Sequence, residues 1–466
     1  MPTGLDTPIG LRACECIAAK VSNATDVYYP GSFSYDADNK HYASSSSQRS
    51  SCSVEPGSVE DVGIILRILG KMQTPFGVKG GGHATNPGFS SMTGVQIAMT
   101  HFKDVTYDME TWTAVIGASN IWDDVYEALN ARGVNILRGR VSGIGVAGFT
   151  LGGGYSWHSN QHGLAIDNVV AYELVMPNGI VTTVTASTDL DLFFSLKGGY
   201  SNFGIITRFT LKTFPQGNIW GGTTVYPPTV ISTFIAAAAR FSSDVTDPNG
   251  SSTRSHRCAR NQLVLATIMM YDGPAPPRDI FDDFLNMANL RLDVKERSFV
   301  DLIKSTQQSV MSSLGSRAIY NHIPMSNYSE STIECVIDNL GFWGPTLFAH
   351  DPSSSISYAL EPFLPDLFSH APDDSSAYLG SQKHLVLPTN IMLHWALESK
   401  DGMFCDVARN TMQKLGILGL PRYLNYTMED TPLVDMYGEG GLRRMEATRK
   451  RVNPKGVMRL TGGFKV

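Results

Sequence analysis

The sequence predicts an α+β protein in two parts, the first threaded with glycine turns and the second built of longer strands and helices. Three observations carry this. Residues 52–78 read strand, capped helix, strand. The stretch from about Val141 to Phe209 is the most glycine-rich in the chain. After Pro215 glycines thin out, and longer apolar segments run to about residue 420. At 466 residues the chain exceeds one ordinary domain. The net charge of −6 gives no reason to expect nucleic acid or an anionic membrane as partner. No apolar run reaches the length of a membrane span.

Each element has a local reason. "CSV" at Cys52 is a short strand, and Pro56-Gly57 turns the chain. Ser58 is the expected N-cap of a helix with Asp61 in its first turn, and "VEDVGIILRIL" keeps helical periodicity up to a stop at Gly70. "FGV" (Phe76–Val78) is a second strand that runs into "VKGGGH". Glu173–Val184 reads as a hairpin around Pro177-Asn178-Gly179. "STDLDLFFSLKGG" is a helix capped by Ser187 or Thr188 and ended by Gly198-Gly199. "NFGIITRFTLKTF" is a strand. In the second part "QLVLATIMMY" is a strand and "RDIFDDFLNMA" a helix, which predicts helices layered on an antiparallel sheet. "NIMLHWALE" alternates: Ile391, Leu393, Trp395 and Leu397 on the core face, Asn390, Met392 and His394 on the other.

Two glycine clusters are the chemical signal. "GIGVAG" (Gly143–Gly148) satisfies the nicotinamide pattern, with Asp167 about twenty residues on. That site needs a strand before it and a helix opening at the last glycines. The residues that follow, "FTLGGGYSW", place three glycines where helix is required, each costing about 1 kcal/mol relative to Ala. No such helix is expected, so the nicotinamide reading is set aside. Irregular glycine turns still present successive N–H groups that hold a phosphate. A ligand-free barrel corner would also use glycines, but the second cluster, "VKGGGH", argues for a ligand.

Together the segments "VEPGSVEDV" (54–62), "VKGGGH" (78–83), "GRVSGIGVAGFTLGGGYS" (139–156), "HGLAIDNVV" (162–170), "SLKGGYSNFGIITRF" (195–209), "YLNY" (423–426) and "LRRMEATRKRVNPKGVM" resemble the FAD-linked oxidases of the vanillyl-alcohol oxidase superfamily, in its berberine-bridge-enzyme-like branch. The resemblance is dense in the first part and thin in the middle third. It implies a PCMH-type FAD-binding domain of two α/β subdomains plus a substrate domain with an antiparallel sheet covered by helices. The boundaries it suggests are an N-terminal segment at 1–44, the FAD domain at 45–217, the substrate domain at 218–420, and a segment at 421–466 that returns to the FAD domain.

Residue by residue, the resemblance implies that His83 carries FAD covalently, with Lys79 in place of the usual Arg and Gly80, Gly81 and Gly82 beside it. A neutral imidazole is a competent nucleophile near neutral pH. A second link in relatives is a cysteine where Val141 stands here, so a single bond is expected and a smaller substrate is favoured. Ser142, Gly143, Ile144, Gly145, Gly148, Gly152, Gly153 and Gly154 continue the cofactor wall, with Asn202, Gly204, Ile205, Tyr423 and Asn425. Ile144 occupies the position that governs oxygen access; its branch at Cβ implies a partial opening. Tyr426 is the implied base, its phenol needing a cation or strong hydrogen bonds to bring its pKa down from near 10. Asn390 and His394 are candidates to line the cleft, with His394 the second catalytic candidate. Thr85 replaces an aromatic residue on which substrate stacks in relatives.

The reaction expected is hydride transfer from a C–H next to an OH or NH of a small alcohol, sugar or secondary metabolite, with dioxygen as acceptor. The alternatives are a dehydrogenase using another acceptor, or a cyclising catalyst on the same fold without net redox turnover. No metal site is expected, since the six cysteines match no zinc spacing. By resemblance Cys52 pairs with Cys14 or Cys16. Sequons at Asn23, Asn249, Asn327 and Asn425 lean towards a secretory history, although the N-terminus shows no apolar signal region. A position beside the flavin makes Asn425 unsuited to a glycan.

Overall fold

The computed structural model describes residues 9–259, 261–311, 316–372, 374–378 and 386–466; the first eight residues of the N-terminal segment lie outside it. Cys52–Glu55 and Phe76–Lys79 flank Val95–Ala98 in parallel, and Asp26–Tyr28 adds an antiparallel edge. The helix between the first two strands, Val59–Met72, buries Val62, Ile65, Leu66 and Leu69 at helical spacing. Ser58 caps it, accepting the Asp61 N–H at 3.1 Å. The helix continues two residues past Gly70 and ends at Gln73, whose φ of 52° is left-handed. Gly70 is a packing position: a Cβ there would stand 2.7 Å from a Val457 methyl. A disulfide between Cys14 and Cys52 ties the N-terminal helix Ile9–Ala18 to this sheet.

The second sheet has five antiparallel strands in the order Val105–Asp108, Thr113–Gly117, Ile205–Lys212, Val169–Val175, Val181–Val184. The last two form the expected hairpin, with Gly179 at a φ of 82° in its turn. The helix after it is Leu190–Leu196, and its cap is Asp189, which accepts the Leu192 N–H at 3.0 Å. Thr188, one of the two predicted caps, is occupied instead with Thr185.

The third sheet is antiparallel throughout and has seven strands. Arg291–Arg297 forms one edge and Arg317–Met325 the other, with Ile219–Tyr226, Gln262–Tyr271, Gly250–Ala259, Ser355–Leu360 and Leu387–Trp395 between them. Helices Ile231–Asp244, Glu330–His350 and Asp401–Leu415 pack against one face around a core of Phe234, Ile391, Leu393 and Trp395. The helix expected across "RDIFDDFLNMA" shrinks to Asp282–Leu285. Asp279 sits at a φ of 76°, which a helix does not accommodate, and the edge strand begins at Arg291. Leu397 lies beyond its strand and is exposed.

After the third sheet the chain returns to the first part. Helix Leu433–Val452 packs on Leu190–Leu196, Arg451 pairs with Asp189, and Thr461 bridges to Phe76. No helix among the described residues is long and apolar enough to cross a membrane.

Candidate active site

The two glycine clusters meet backbone to backbone. A Cβ on Gly81 would lie 2.4 Å from the Gly145 Cα, and one on Gly145 2.7 Å from the Gly81 Cα. A Cβ on Gly80 would lie 2.7 Å from the Ala118 carbonyl oxygen. Only glycine permits this approach. The loop holding Gly145 is pinned from behind by Asp123, which accepts the Ser142 hydroxyl at 2.6 Å and the Gly143 N–H at 2.8 Å. A six-residue helix, Val146–Leu151, does follow. The expectation of no helix fails because the three glycines fall at its end, Gly152 being the C-cap, and not in its first turn. Gly153 and Gly154, at φ of 110° and 83°, then turn the chain, and Gly152 packs against Asn425 and Tyr200.

These loops wall a cavity of about 400 Å³ between the first part and the open face of the seven-stranded sheet. Gly80, Gly81, Gly82, His83, Val141, Ile144, Gly145, Gly148, Gly204, Ile205, Tyr423, Asn425 and Tyr426 line it. Lys79, Ser142, Gly143, Gly152, Gly153, Gly154 and Asn202 stand behind the wall and hold it. Lys79 donates to the Ala37 carbonyl at 2.8 Å, and Asn202 donates to that of Phe464 at 2.8 Å. Asn425 donates to the Phe149 carbonyl and accepts from Tyr200, so its sequon nitrogen is engaged inside the fold.

The His83 ring stacks on Tyr42, centroids 4.1 Å apart at 13°. Burial pulls its pKa down to about 4, so the imidazole is neutral near pH 7. His394 does not line the cavity. It stands one layer back, its Nε2 3.0 Å from the Tyr42 hydroxyl, while Asn390 and Met392 from the same strand face do line it. The strand alternation was read correctly, but Tyr42 from the N-terminal segment covers the last position.

Opposite the glycine wall, three side chains from distant segments converge. The Tyr426 hydroxyl accepts from Arg140 Nη2 at 2.9 Å and donates to Glu361 Oε1 at 3.0 Å; Arg140 and Glu361 pair at 2.7 Å. The cation expected beside Tyr426 is present, yet the phenol is not lowered. Burial and the Glu361 charge push it well above its ordinary value, against the pull of Arg140. Burial raises the Glu361 carboxyl while Arg140 opposes that rise, and Glu361 in turn raises the Arg140 guanidinium. Arg140 and Glu361 were not singled out in the sequence. Arg140 lies inside a glycine motif read for its backbone, and Glu361 follows directly after an unremarkable strand, 65 residues from its tyrosine partner.

The residues present fit a flat cofactor with a phosphate-bearing tail. Gly148 faces the cavity with nothing within 4 Å of where a Cβ would stand. Among the described residues, Asn86 Oδ1, Asn390 Oδ1 and Glu361 Oε2 are buried polar atoms at this wall without a hydrogen-bond partner. The glycine wall, the neutral histidine and the Arg140–Tyr426–Glu361 cluster thus face one shared cavity.

Comparison with known proteins agrees. Residues 50–185 match the model of the FAD binding domain family. The chain is 29% identical to an uncharacterised FAD-linked oxidoreductase of Arthroderma benhamiae, over 96% of this chain and 93% of the relative. Its fold superposes on BBE-like 1 of Physcomitrella patens with a TM-score of 0.80 at 20% identity, covering 96% of this chain and 97% of the other. The 6-hydroxy-D-nicotine oxidase of Arthrobacter nicotinovorans gives a TM-score of 0.80 at 18% identity, with 98% and 99% covered. The chain is an FAD-linked oxidoreductase with an FAD-binding domain, and its fold is that of the berberine-bridge-like oxidases.

Proposed function

We propose that this oxidoreductase oxidises a small alcohol or amine whose reacting C–H adjoins an O–H or N–H, with dioxygen as the final acceptor. The observation that carries the reading is the Arg140–Tyr426–Glu361 cluster at the cavity wall. FAD, when bound, supplies the hydride acceptor. Tyr426 takes the proton of the substrate O–H or N–H and passes its own to Glu361 Oε1. A phenol held neutral is no base alone; the carboxylate behind it makes the pair one. Arg140, paired with that carboxylate at 2.7 Å, favours its ionised form against the pull of burial.

The substrate side of the cavity includes Trp157, Tyr320, Ile268 and Met392, with Asn390 and Thr253 as polar contacts. Such a wall favours an apolar or aromatic molecule over an oligosaccharide. A small substrate also suits a chain with Val141 at the position of the second covalent link.

The test is anaerobic flavin reduction with a panel of alcohols, amines and sugars, followed on the best substrate in variants. Tyr426→Phe and Glu361→Gln should each slow reduction by about 10²–10⁴-fold with little change in substrate affinity. Reduction at the wild-type rate in both would remove the cluster from the chemistry.

His83, neutral and facing the cavity, supports a covalent histidyl flavin, and Val141 supports a single link. Acid-precipitated protein should stay yellow, with the flavin mass on the peptide containing His83. A colourless pellet would show that FAD is held without a bond.

A further inference from the structure

On the helix-covered face of the seven-stranded sheet, away from the cavity, lies a polar cluster that the redox site does not use. Thr253 lines the cavity, so its neighbour Arg254 points to the opposite face. Strand register sets Arg254 beside Thr267, and Thr267 beside Thr224. All three are fully buried, as is His256, two residues along on the same face. The Arg254 guanidinium lies 4.7 Å from the Phe241 ring centroid and 5.4 Å from that of Phe284.

Among the described residues, no nitrogen of the Arg254 guanidinium has a hydrogen-bond partner, and neither ring nitrogen of His256 has one. The hydroxyls of Thr224 and Thr267 are likewise without a completed hydrogen bond, although both stand near that of Tyr226. Tyr226 itself donates to the Phe284 carbonyl. Among the described residues, Tyr226 and Tyr328 are the ionisable groups that act favourably on Arg254, and no carboxylate does. A guanidinium sealed from water without a counter-charge is among the costliest arrangements a core can hold. Two aromatic faces offset only part of that cost. A buried water would give the donors an acceptor but leave the charge unbalanced.

We propose that Arg254, Thr224, Thr267 and His256 form an enclosed site for one small monovalent anion of halide size. The guanidinium supplies the charge, and the hydroxyls and a neutral imidazole supply further donors. Complete burial of all four side chains closes the site to substrate and solvent. The anion thereby ties together the three strands Ile219–Tyr226, Gly250–Ala259 and Gln262–Tyr271, next to the strand that leads to Glu361, since Leu360 is paired directly with Arg254.

Crystals of the holoenzyme soaked in sodium bromide test this directly. The expected result is an anomalous bromide peak within hydrogen-bond distance of the Arg254 guanidinium. Water-like density there without anomalous signal would overturn the proposal. In solution, sodium bromide in place of sodium gluconate at equal ionic strength should raise the wild-type Tm by about 2–4 °C. In Arg254→Met, where the buried charge is gone, that rise should vanish. An equal rise in both proteins would also overturn it, and should the variant not fold, the bromide map on the wild type decides.

Discussion

Ile144 is one side chain at the cavity wall on which the choice of electron acceptor turns in this reading. It lines the cavity next to the Gly81–Gly145 contact, and its bulk sits at Cβ where leucine would extend further. With an oxidisable substrate, hydrogen peroxide should accumulate in step with turnover. Ile144→Val should speed reoxidation of the reduced enzyme in air and Ile144→Leu should slow it. Enzyme that stays bleached in air for minutes yet recovers at once with a quinone would be a dehydrogenase. Tyr426 teaches a related lesson about single residues. Read alone, it needed a depressed pKa; read with Glu361, it needs only a proton acceptor behind it.

Among the elements, the two glycine loops behave as one part. Gly81 and Gly145 are in contact although 64 positions apart, and neither leaves room for a methyl group. Gly145→Ala should therefore push the loop off its partner and shift the wall against which the cofactor lies. The expected outcome is folded protein, judged by circular dichroism, that retains far less FAD after gel filtration than the wild type. Gly217→Ala is the matched control, because its Cβ would meet nothing within 4 Å and it does not line the cavity. If Gly145→Ala keeps its full complement of FAD, the contact matters less than the geometry suggests. The helix at Val146–Leu151 shows the same economy: its glycines end it and do not prevent it.

For the whole molecule, acid stability is governed by histidines buried without charge. Burial pulls His394 down to about 4 and His256 to about 3, against an ordinary value of 6.5. Between those limits the unfolded chain binds more protons than the folded one. Stability is thus complete above about pH 6.5 and is lost as pH falls towards 4, at roughly 1.4 kcal/mol per pH unit for each histidine. Urea unfolding from pH 7 to 4 should show that decline, and His394→Gln should reduce its slope by about 1.4 kcal/mol per pH unit. A flat profile in the wild type would mean that these rings gain protons without opposing the fold.

Local signals were sufficient for much of this protein. The sequence determined the capped helix after Cys52, the hairpin at Pro177-Asn178-Gly179, the alternation in "NIMLHW" and the glycine clusters, because each depends on neighbours in the chain. The resemblance these motifs carry extended that reading to the flavin site and narrowed the partner of Cys52 to two candidates. Tertiary structure decided the rest. It selected Cys14 over Cys16, placed Tyr42 between His394 and the cavity, and joined Arg140 and Glu361 to Tyr426. Those outcomes rest on side chains from 38 to 352 positions apart, whose meeting depends on how the sheets and the N-terminal segment pack; no periodicity or spacing encodes it.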